Sequence, residues 1–334
     1  MTNVAVVGNR TAWRERLGAG TLAPRRVPDV RRALQLALGA VWLLDGVLQY
    51  QGAFYVKGFS DMLGGTAAGN PGWIASPITW DANLVQHNLA LLNTVFATIQ
   101  LLLGLGITFR PTVKAALAAS VAWSLGVWWF GEGLGGVLSG GASPLNGAPG
   151  AVIIYALIAV LLWPADRAPS SPFAAGRAVG PPVARVLWAV LWLSLAYFAL
   201  TPANRAPQGV NGMIAGMNSG QPGWLAALMR GAASLTAGQG LAASVVLAVA
   251  LVAIAVGVYL PAPVAKATLV LAIVVSAVIW VFAQAFGGIL AGGATDPNSG
   301  PLLALLALCY WPLRAASAAP RQADANLATE GTVA

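Results

Sequence analysis

The sequence predicts an all-α polytopic membrane protein, and three observations support this: the composition, the length of the apolar runs and an internal repeat. Of the 334 residues, 58% are hydrophobic and only 8% are charged, whereas charged residues make up about a quarter of a typical soluble domain. A chain of this composition cannot cover its surface with polar groups in water. We therefore expect it to lie in a lipid bilayer.

Eight apolar segments are predicted to be transmembrane helices, since roughly 20 apolar residues cross the hydrocarbon core of a bilayer. They are residues 33–49, 89–109, 113–138, 148–163, 186–202, 240–260, 264–290 and 301–311. The fourth and the eighth are shorter than a full crossing. Short, Gly-interrupted segments at matching positions of two repeats indicate a binding site in membrane transporters.

An internal repeat divides the chain into two halves. At a shift of 152 residues, 128–149 and 280–301 share a tryptophan, a phenylalanine, two Gly-Gly pairs, an asparagine and a proline. The matched positions include Trp128, Gly135, Gly136 and Asn146 in the first copy, and Trp280, Gly287, Gly288 and Asn298 in the second. The prediction is two parallel four-helix repeats, 33–163 and 186–314, joined by a cytoplasmic linker at 164–185.

The distribution of Lys and Arg predicts the orientation, because basic residues accumulate on the cytoplasmic side. With eight helices, 15 of the 18 basic residues lie on the inner side. They flank apolar runs instead of forming a patch with aromatics, so the net charge of +8 does not indicate a nucleic-acid partner. We predict a basic cytoplasmic arm at 1–32, which has no signal-peptide core, and a disordered cytoplasmic tail at 315–334. The excess of Arg over Lys is typical of a GC-rich bacterium, whose plasma membrane is the predicted location.

Asp45 and Gln49 lie one turn apart near the outer end of the first predicted helix. A carboxylate inside a membrane should face protein or water, because contact with lipid is costly. Two interpretations remain open for Asp45: a solvated position at the interface, and a functional carboxylate.

The repeated stretches 128–149 and 280–301 are the first and the second Gly-rich segment, and Glu132 in the first is matched by Gln284 in the second. Each follows a tryptophan by four residues, so each copy presents a Trp and a polar group on one helical stripe. If the two stripes face each other, Glu132 would hydrogen-bond Gln284 and gate a proton or bind a cation or polar ligand. The alternative is that the Gly-Gly pairs serve tight helix packing. Asn146 and Asn298 are predicted to be helix N-caps.

His87 is the only histidine, and Asn93 lies one to two turns further along, where it would line a polar cavity. His87 fits either an interfacial polar residue or a proton-handling partner of Asp81 or Asp45. Haem and zinc sites need several ligands, so no metal or cofactor is expected. Cys309 is the only cysteine, which excludes a disulfide within the chain. Nucleotide-binding and hydrolase motifs do not occur, which favours a non-enzymatic protein.

The helical plan over 33–314 has a polar residue near the outer end of the first helix and Gly-rich packing around a carboxylate on the third. This plan resembles the DoxX/DoxD-like membrane proteins, doubled in one chain. Through some members of that group, the resemblance implies quinone-linked sulfur oxidation or respiratory redox complexes.

We expect small-solute or proton-coupled transport through an outward-facing polar vestibule lined by Asp45, Gln49, Glu132 and Gln284. One alternative is a non-catalytic partner or assembly subunit of a cell-envelope complex, and another is a quinone-linked redox subunit. The expected partners are the lipid bilayer and another membrane protein, with a small-molecule ligand of unknown identity.

Overall fold

The structure of the protein is a computed structural model that describes residues 29–313. Within this range the chain is helical, and its one isolated β-bridge joins Phe173 to Pro312. The α-helices are α1 (Val30–Gln49), α2 (Lys57–Gly65), α3 (Gly72–His87), α4 (Leu89–Thr108), α5 (Val113–Phe130), α6 (Ala151–Leu161), α7 (Ala174–Val179), α8 (Pro181–Ala199), α9 (Pro202–Arg205), α10 (Gly209–Gly216), α11 (Gly223–Thr236), α12 (Gly240–Gly257), α13 (Ala262–Phe282) and α14 (Ser299–Cys309). Most of the predicted arm and all of the predicted tail lie outside the described residues.

Five helices are long and apolar enough to cross a membrane: Leu89–Thr108, Val113–Phe130, Pro181–Ala199, Gly240–Gly257 and a stretch that runs from Ala262 to Ala291. Apolar side chains on their outer faces are exposed; Val246, for example, is 71% exposed. A soluble monomer rarely exposes contiguous apolar surface of this kind. The all-α prediction is therefore confirmed, and the five helices indicate an integral membrane protein.

The helices pack in pairs around two short helices. The long pairs are α1 with α4 and α8 with α12, while α5 packs on α6 and α13 packs on α14. The short helices α6 and α14 also contact each other, and most of their residues are buried. They belong to a hydrophobic core that runs through both halves of the described chain. Because longer helices surround them, α6 and α14 form the centre of the protein.

Polar contacts bring several helix ends to one side of the bundle, which we call the Arg31 end. Arg31, at the start of α1, donates to the carbonyl oxygens of Trp163 and Ala165 beyond the end of α6, at 3.3 and 3.1 Å. It also pairs with Asp166. Arg32 donates to the carbonyl oxygen of Ile107 at the end of α4, at 2.8 Å. The start of α1 and the ends of α4 and α6 thus lie together at the Arg31 end. The Gly-rich segments lie at the opposite end of the bundle.

The predicted helix bounds need correction where an apolar run continues past the helical backbone. The third predicted segment reached residue 138, but α5 ends at Phe130. The seventh reached residue 290, but α13 ends at Phe282. In both places the backbone enters the left-handed region, which an α-helix of L-residues cannot continue through. The fifth segment begins earlier than predicted, at Pro181, because proline suits the first turn of a helix.

Glycines allow α1 and α4 to pack closely. A Cβ at Gly104 would lie 2.8 Å from the backbone oxygen of Gly39 and 2.6 Å from Cγ of Leu43. Small residues at such contacts let membrane helices approach each other without a loss of packing.

We predict that Gly104→Ala destabilises the protein by about 1–3 kcal/mol, the usual cost of overpacking. The new methyl group would push against backbone that cannot rotate away. Gly231→Ala in α11 is the matched control, since a Cβ there meets no atom within 4 Å. Thermal unfolding of the two variants in detergent measures the difference, and equal midpoints would refute a close α1–α4 contact.

Candidate functional site

The Gly-rich segments after α5 and α13 leave the helical path through consecutive residues with positive φ. These are Gly133, Leu134, Gly135 and Gly136 in the first segment, and Ala285, Phe286, Gly287 and Gly288 in the second. A Cβ at Gly135 would lie 1.9 Å from the carbonyl oxygen of Pro149, and one at Gly287 would lie 2.8 Å from that of Pro297. Glycine is therefore required at both positions for its conformation and for its small size.

In each segment, the tryptophan before the turn donates a hydrogen bond to a carbonyl oxygen further along the segment. Trp128 Nε1 donates to the carbonyl oxygen of Pro149 at 2.6 Å, and Trp280 Nε1 donates to that of Pro297 at 2.8 Å. Asn298 is the N-cap of α14, as predicted, and its side chain accepts from Ser299 N at 2.6 Å. Asn146 is not the N-cap of α6: it lies in a separate 3₁₀ turn, where its side chain accepts from Ser143 N at 3.2 Å.

The predicted hydrogen bond between Glu132 and Gln284 is wrong. Glu132 Oε1 accepts from the backbone N of Val152 at 3.3 Å, and Gln284 Oε1 accepts from that of Gly300 at 3.2 Å. Each polar side chain thus lies at the N-terminus of the short helix that follows it. The first N–H groups of a helix have no partner within the helix and favour an acceptor there. Gln284 also donates to Ser299 Oγ at 2.8 Å and to the carbonyl oxygen of Pro144 at 3.3 Å, so the oxygen and the nitrogen of its amide both have partners.

A cavity of about 300 Å³ lies beside Glu132. Three of the four residues predicted to line a polar vestibule line it: Asp45, Gln49 and Glu132. Gln284 does not. Asp81, which the sequence analysis considered only as a partner of His87, also lines the cavity. Sequence reasoning missed the remaining lining residues that carry polar or aromatic groups, namely Asp296, Gln100, Trp42, Phe59, Phe96, Trp123 and Phe130.

Asp45 is 2% exposed and reaches the cavity from α1. Its Oδ2 accepts from the hydroxyl of Tyr155 on α6 at 2.6 Å, while its Oδ1 is buried without a hydrogen-bond partner. The interpretation of Asp45 as a solvated interfacial carboxylate is therefore wrong. A buried carboxylate oxygen with no partner is costly, which makes it a candidate for binding a ligand or a proton.

Two predicted polar residues lie outside the cavity. Asn93 pairs with Gln49: Gln49 Nε2 donates to Asn93 Oδ1 at 2.5 Å, and Asn93 Nδ2 donates to the backbone oxygen of Gln49 at 3.0 Å. This pair ties α1 to α4 and orients Gln49. His87 is exposed at the end of α3, where its Nδ1 lies 2.7 Å from the backbone oxygen of Asn83.

Asp296 enters the cavity from the second Gly-rich segment, far away in sequence from the other lining acids. Its Oδ1 accepts from Asn298 N at 2.6 Å and its Oδ2 accepts from Thr295 Oγ1 at 2.9 Å. The signal that could have found it is its isolation: it is the only acidic residue between Asp166 and Asp324. The first Gly-rich segment, in turn, contacts the second half of the chain. Its Leu145 belongs to an apolar cluster with Met229 and Ile279.

Burial raises the pKa of three acids at this site, Glu132, Asp296 and Asp81. Burial, followed by the charge of Asp296, raises the pKa of Glu132 to about 8, although backbone N–H groups of Val152 and Ala151 act in the opposite direction. Burial also raises the pKa of Asp296 and that of the half-buried Asp81. No Lys, Arg or His from the described part of the chain lines the cavity to offset these charges.

A second cavity of about 430 Å³ adjoins the first. It is lined by the first Gly-rich segment, including Gly135, Gly136 and Ser139, and it shares Glu132 and Asp296 with the first cavity. The two shared carboxyl groups therefore lie where the cavities meet, on the side away from the Arg31 end.

No protein-family model, curated protein or solved structure matches the chain. Within residues 29–313, no group of three or more His, Cys, Asp or Glu side chains is arranged to hold a metal ion. The site must therefore be interpreted from its own geometry.

We predict that Glu132 is protonated at neutral pH and titrates with a midpoint near pH 8. Infrared difference spectra of the purified protein should show the C=O band of a protonated carboxyl group that disappears across this midpoint and is missing in Glu132→Gln. The folded state retains a proton that the unfolded chain releases above pH 4.5, so the contribution of Glu132 to stability falls as pH rises from 4.5 to 8. Asp61→Asn, which alters an exposed carboxylate, is the control. A Glu132 midpoint near 4.5 would contradict the buried position.

Proposed function

We propose that the protein moves a small solute or protons across a membrane, with Glu132 as the titrating group. The observation that carries this proposal is the set of Asp45, Glu132 and Asp296 around one cavity inside an apolar helical bundle. Ionisable groups at such positions are expensive to bury, and in membrane proteins they typically mark ion pathways and proton relays. A purely structural role would not require an unpartnered carboxylate oxygen such as Asp45 Oδ1.

The position of Glu132 supports proton coupling. It lies between the two cavities, and its raised pKa lets it bind and release a proton near neutral pH. A group that changes charge between two compartments of a pathway can couple proton movement to the passage of a solute. Asp296 adds a second carboxyl group at the same boundary, so a proton or cation has more than one acceptor there.

The proposed topology has eight crossings in two parallel four-helix repeats, located in a bacterial plasma membrane with both termini in the cytoplasm. α1, α6 and α14 would add to the five helices of full spanning length. Support comes from the helix ends gathered at the Arg31 end and from the similar paths of the two Gly-rich segments. We also propose that this helical plan is the one found in the DoxX/DoxD-like membrane proteins.

The topology predicts which surface positions are reached from outside the cell. In a Cys309→Ser background, Ser76→Cys and Ser219→Cys should react with a membrane-impermeant maleimide on intact cells. Ser170→Cys, on the opposite side, should react only after lysis. All three serines are exposed in the structure, so labelling reports membrane sidedness. Equal labelling of Ser170→Cys before and after lysis would overturn the proposed orientation.

The transport proposal is tested in liposomes that contain the purified protein and a pH-sensitive dye. An imposed potential should drive proton entry in the wild type, and Glu132→Gln should reduce entry to the level of empty liposomes. This variant should still fold, because Gln284 performs the corresponding contact at α14. Asp61→Asn should retain the flux.

Three results would contradict this proposal. Flux that Glu132→Gln leaves unchanged would remove Glu132 from the mechanism. The absence of flux together with a stable co-purifying membrane protein would favour an assembly subunit. A quinone in the purified sample would favour a redox subunit.

A further inference from the structure

The cavity combines carboxyl groups with aromatic rings. Asp45, Glu132 and Asp296 line it, with Asp81 as a fourth acid, and so do three phenylalanines and two tryptophans. Anionic groups alone would suit many cations. Aromatic faces add an attraction for cations that carry apolar substituents, through the negative face of each ring.

Two carboxylate oxygens at this cavity lack partners within the described chain. Asp45 Oδ1 and Glu132 Oε2 are both buried and accept no hydrogen bond, and Asp45 as a whole is 2% exposed. Trp123 Nε1 and Gln100 Oε1 are likewise buried without partners and belong to residues of the same lining. Trp123 Nε1 is a donor, whereas Asp45 Oδ1, Glu132 Oε2 and Gln100 Oε1 are acceptors. Because buried polar groups are normally paired, these three acceptors indicate a ligand that donates hydrogen bonds or carries positive charge.

The arrangement does not suit a bare metal ion. Metal ions draw several ligands to distances of about 2.0–2.6 Å, and the acids of the described residues do not converge in this way. They are distributed around a cavity of about 300 Å³, which is near the lower limit of ordinary small-molecule sites. A cation of several heavy atoms would reach carboxylates on different walls.

We propose that this cavity binds a small organic ammonium ion, with its charge against Asp45, Glu132 and Asp296 and its apolar groups against the aromatic walls. The proposal names the ligand class of the site on which the proposed transport function rests. Trp42 and Trp123 provide the rings with the strongest negative faces. Gln49, held in place by Asn93, provides a neutral polar group at the same wall.

Among the described residues, the position in the second half that corresponds to Glu132 carries no charge. There Gln284, just before the second Gly-rich turn, contacts the N-terminus of α14 with a neutral amide in place of a carboxylate. Leu145 packs with apolar residues of α11 and α13 on that side. One ammonium ion per chain is therefore expected.

Calorimetry on the full chain in detergent micelles at pH 9, above the titration midpoint of Glu132, tests the proposal. The probes are methylammonium, tetramethylammonium and choline, with 3,3-dimethylbutan-1-ol as the neutral isostere of choline. At least one of the three cations should bind with a stoichiometry near one, and the neutral alcohol should not bind. Glu132→Gln and Asp296→Asn should each weaken binding roughly 10- to 100-fold, the range for loss of a charged partner. Asp61→Asn should leave the affinity unchanged.

Binding is measured without flux, so the two proposals can fail separately. Ammonium binding in a protein that transports nothing would uphold the site and refute transport. Proton flux with no binding of any of the three cations would uphold transport and refute the site. Equal binding of choline and its neutral isostere, or displacement of the ammonium by equimolar sodium, would also overturn the proposal. Size-exclusion profiles and thermal unfolding show whether each variant is folded.

Discussion

The centre of the protein depends on a contact between a polar side chain and the N-terminus of a short helix. Glu132 accepts from the start of α6 and Gln284 accepts from the start of α14. Backbone N–H groups at membrane depth must find partners inside the protein, because lipid provides none. These contacts, together with the two Trp–carbonyl bonds, let each chain segment break its helix and return. The short helices α6 and α14 can then lie in the core of the bundle.

A carboxylate and an amide can both make this contact with a helix N-terminus, but they differ in charge and in the hydrogen bonds that remain for them to make. Either group offers an oxygen to the helix N-terminus. The amide of Gln284 donates to Ser299 Oγ and to the carbonyl oxygen of Pro144, whereas Glu132 Oε2 is buried without a hydrogen-bond partner. Asp296 crosses from the second Gly-rich segment to the same place, while Leu145 of the first fills apolar space on the other side. Two similar backbone paths thus support one polar site.

Apolar runs predicted the five helices of spanning length, because a helix that crosses a membrane must be apolar over its whole length. The predicted bounds of two of these helices were too long. α5 and α13 were predicted to be longer than they are, because the sequence stays apolar where the backbone becomes left-handed. Asp45 and Glu132 could be predicted, since a charge in an apolar run has few alternatives to a protein-lined site. Asp296 could not, because it lies in a loop and its neighbours in space come from the other half. Gln284 was placed in the site wrongly because sequence does not reveal that its amide is already satisfied.

The burial of the acids has an energetic cost that the proposed cation would lower. A buried polar group without a partner costs about 1–3 kcal/mol, and a charged one costs more. Asp45 and Glu132 each carry such an oxygen, and the structure provides no basic side chain in the described lining to offset them. Protonation removes part of the cost but leaves the acceptors unpaired. A cation that pairs with these acids would lower this cost. Binding would therefore offset part of the cost of burying these acids, which supports the proposed ammonium site.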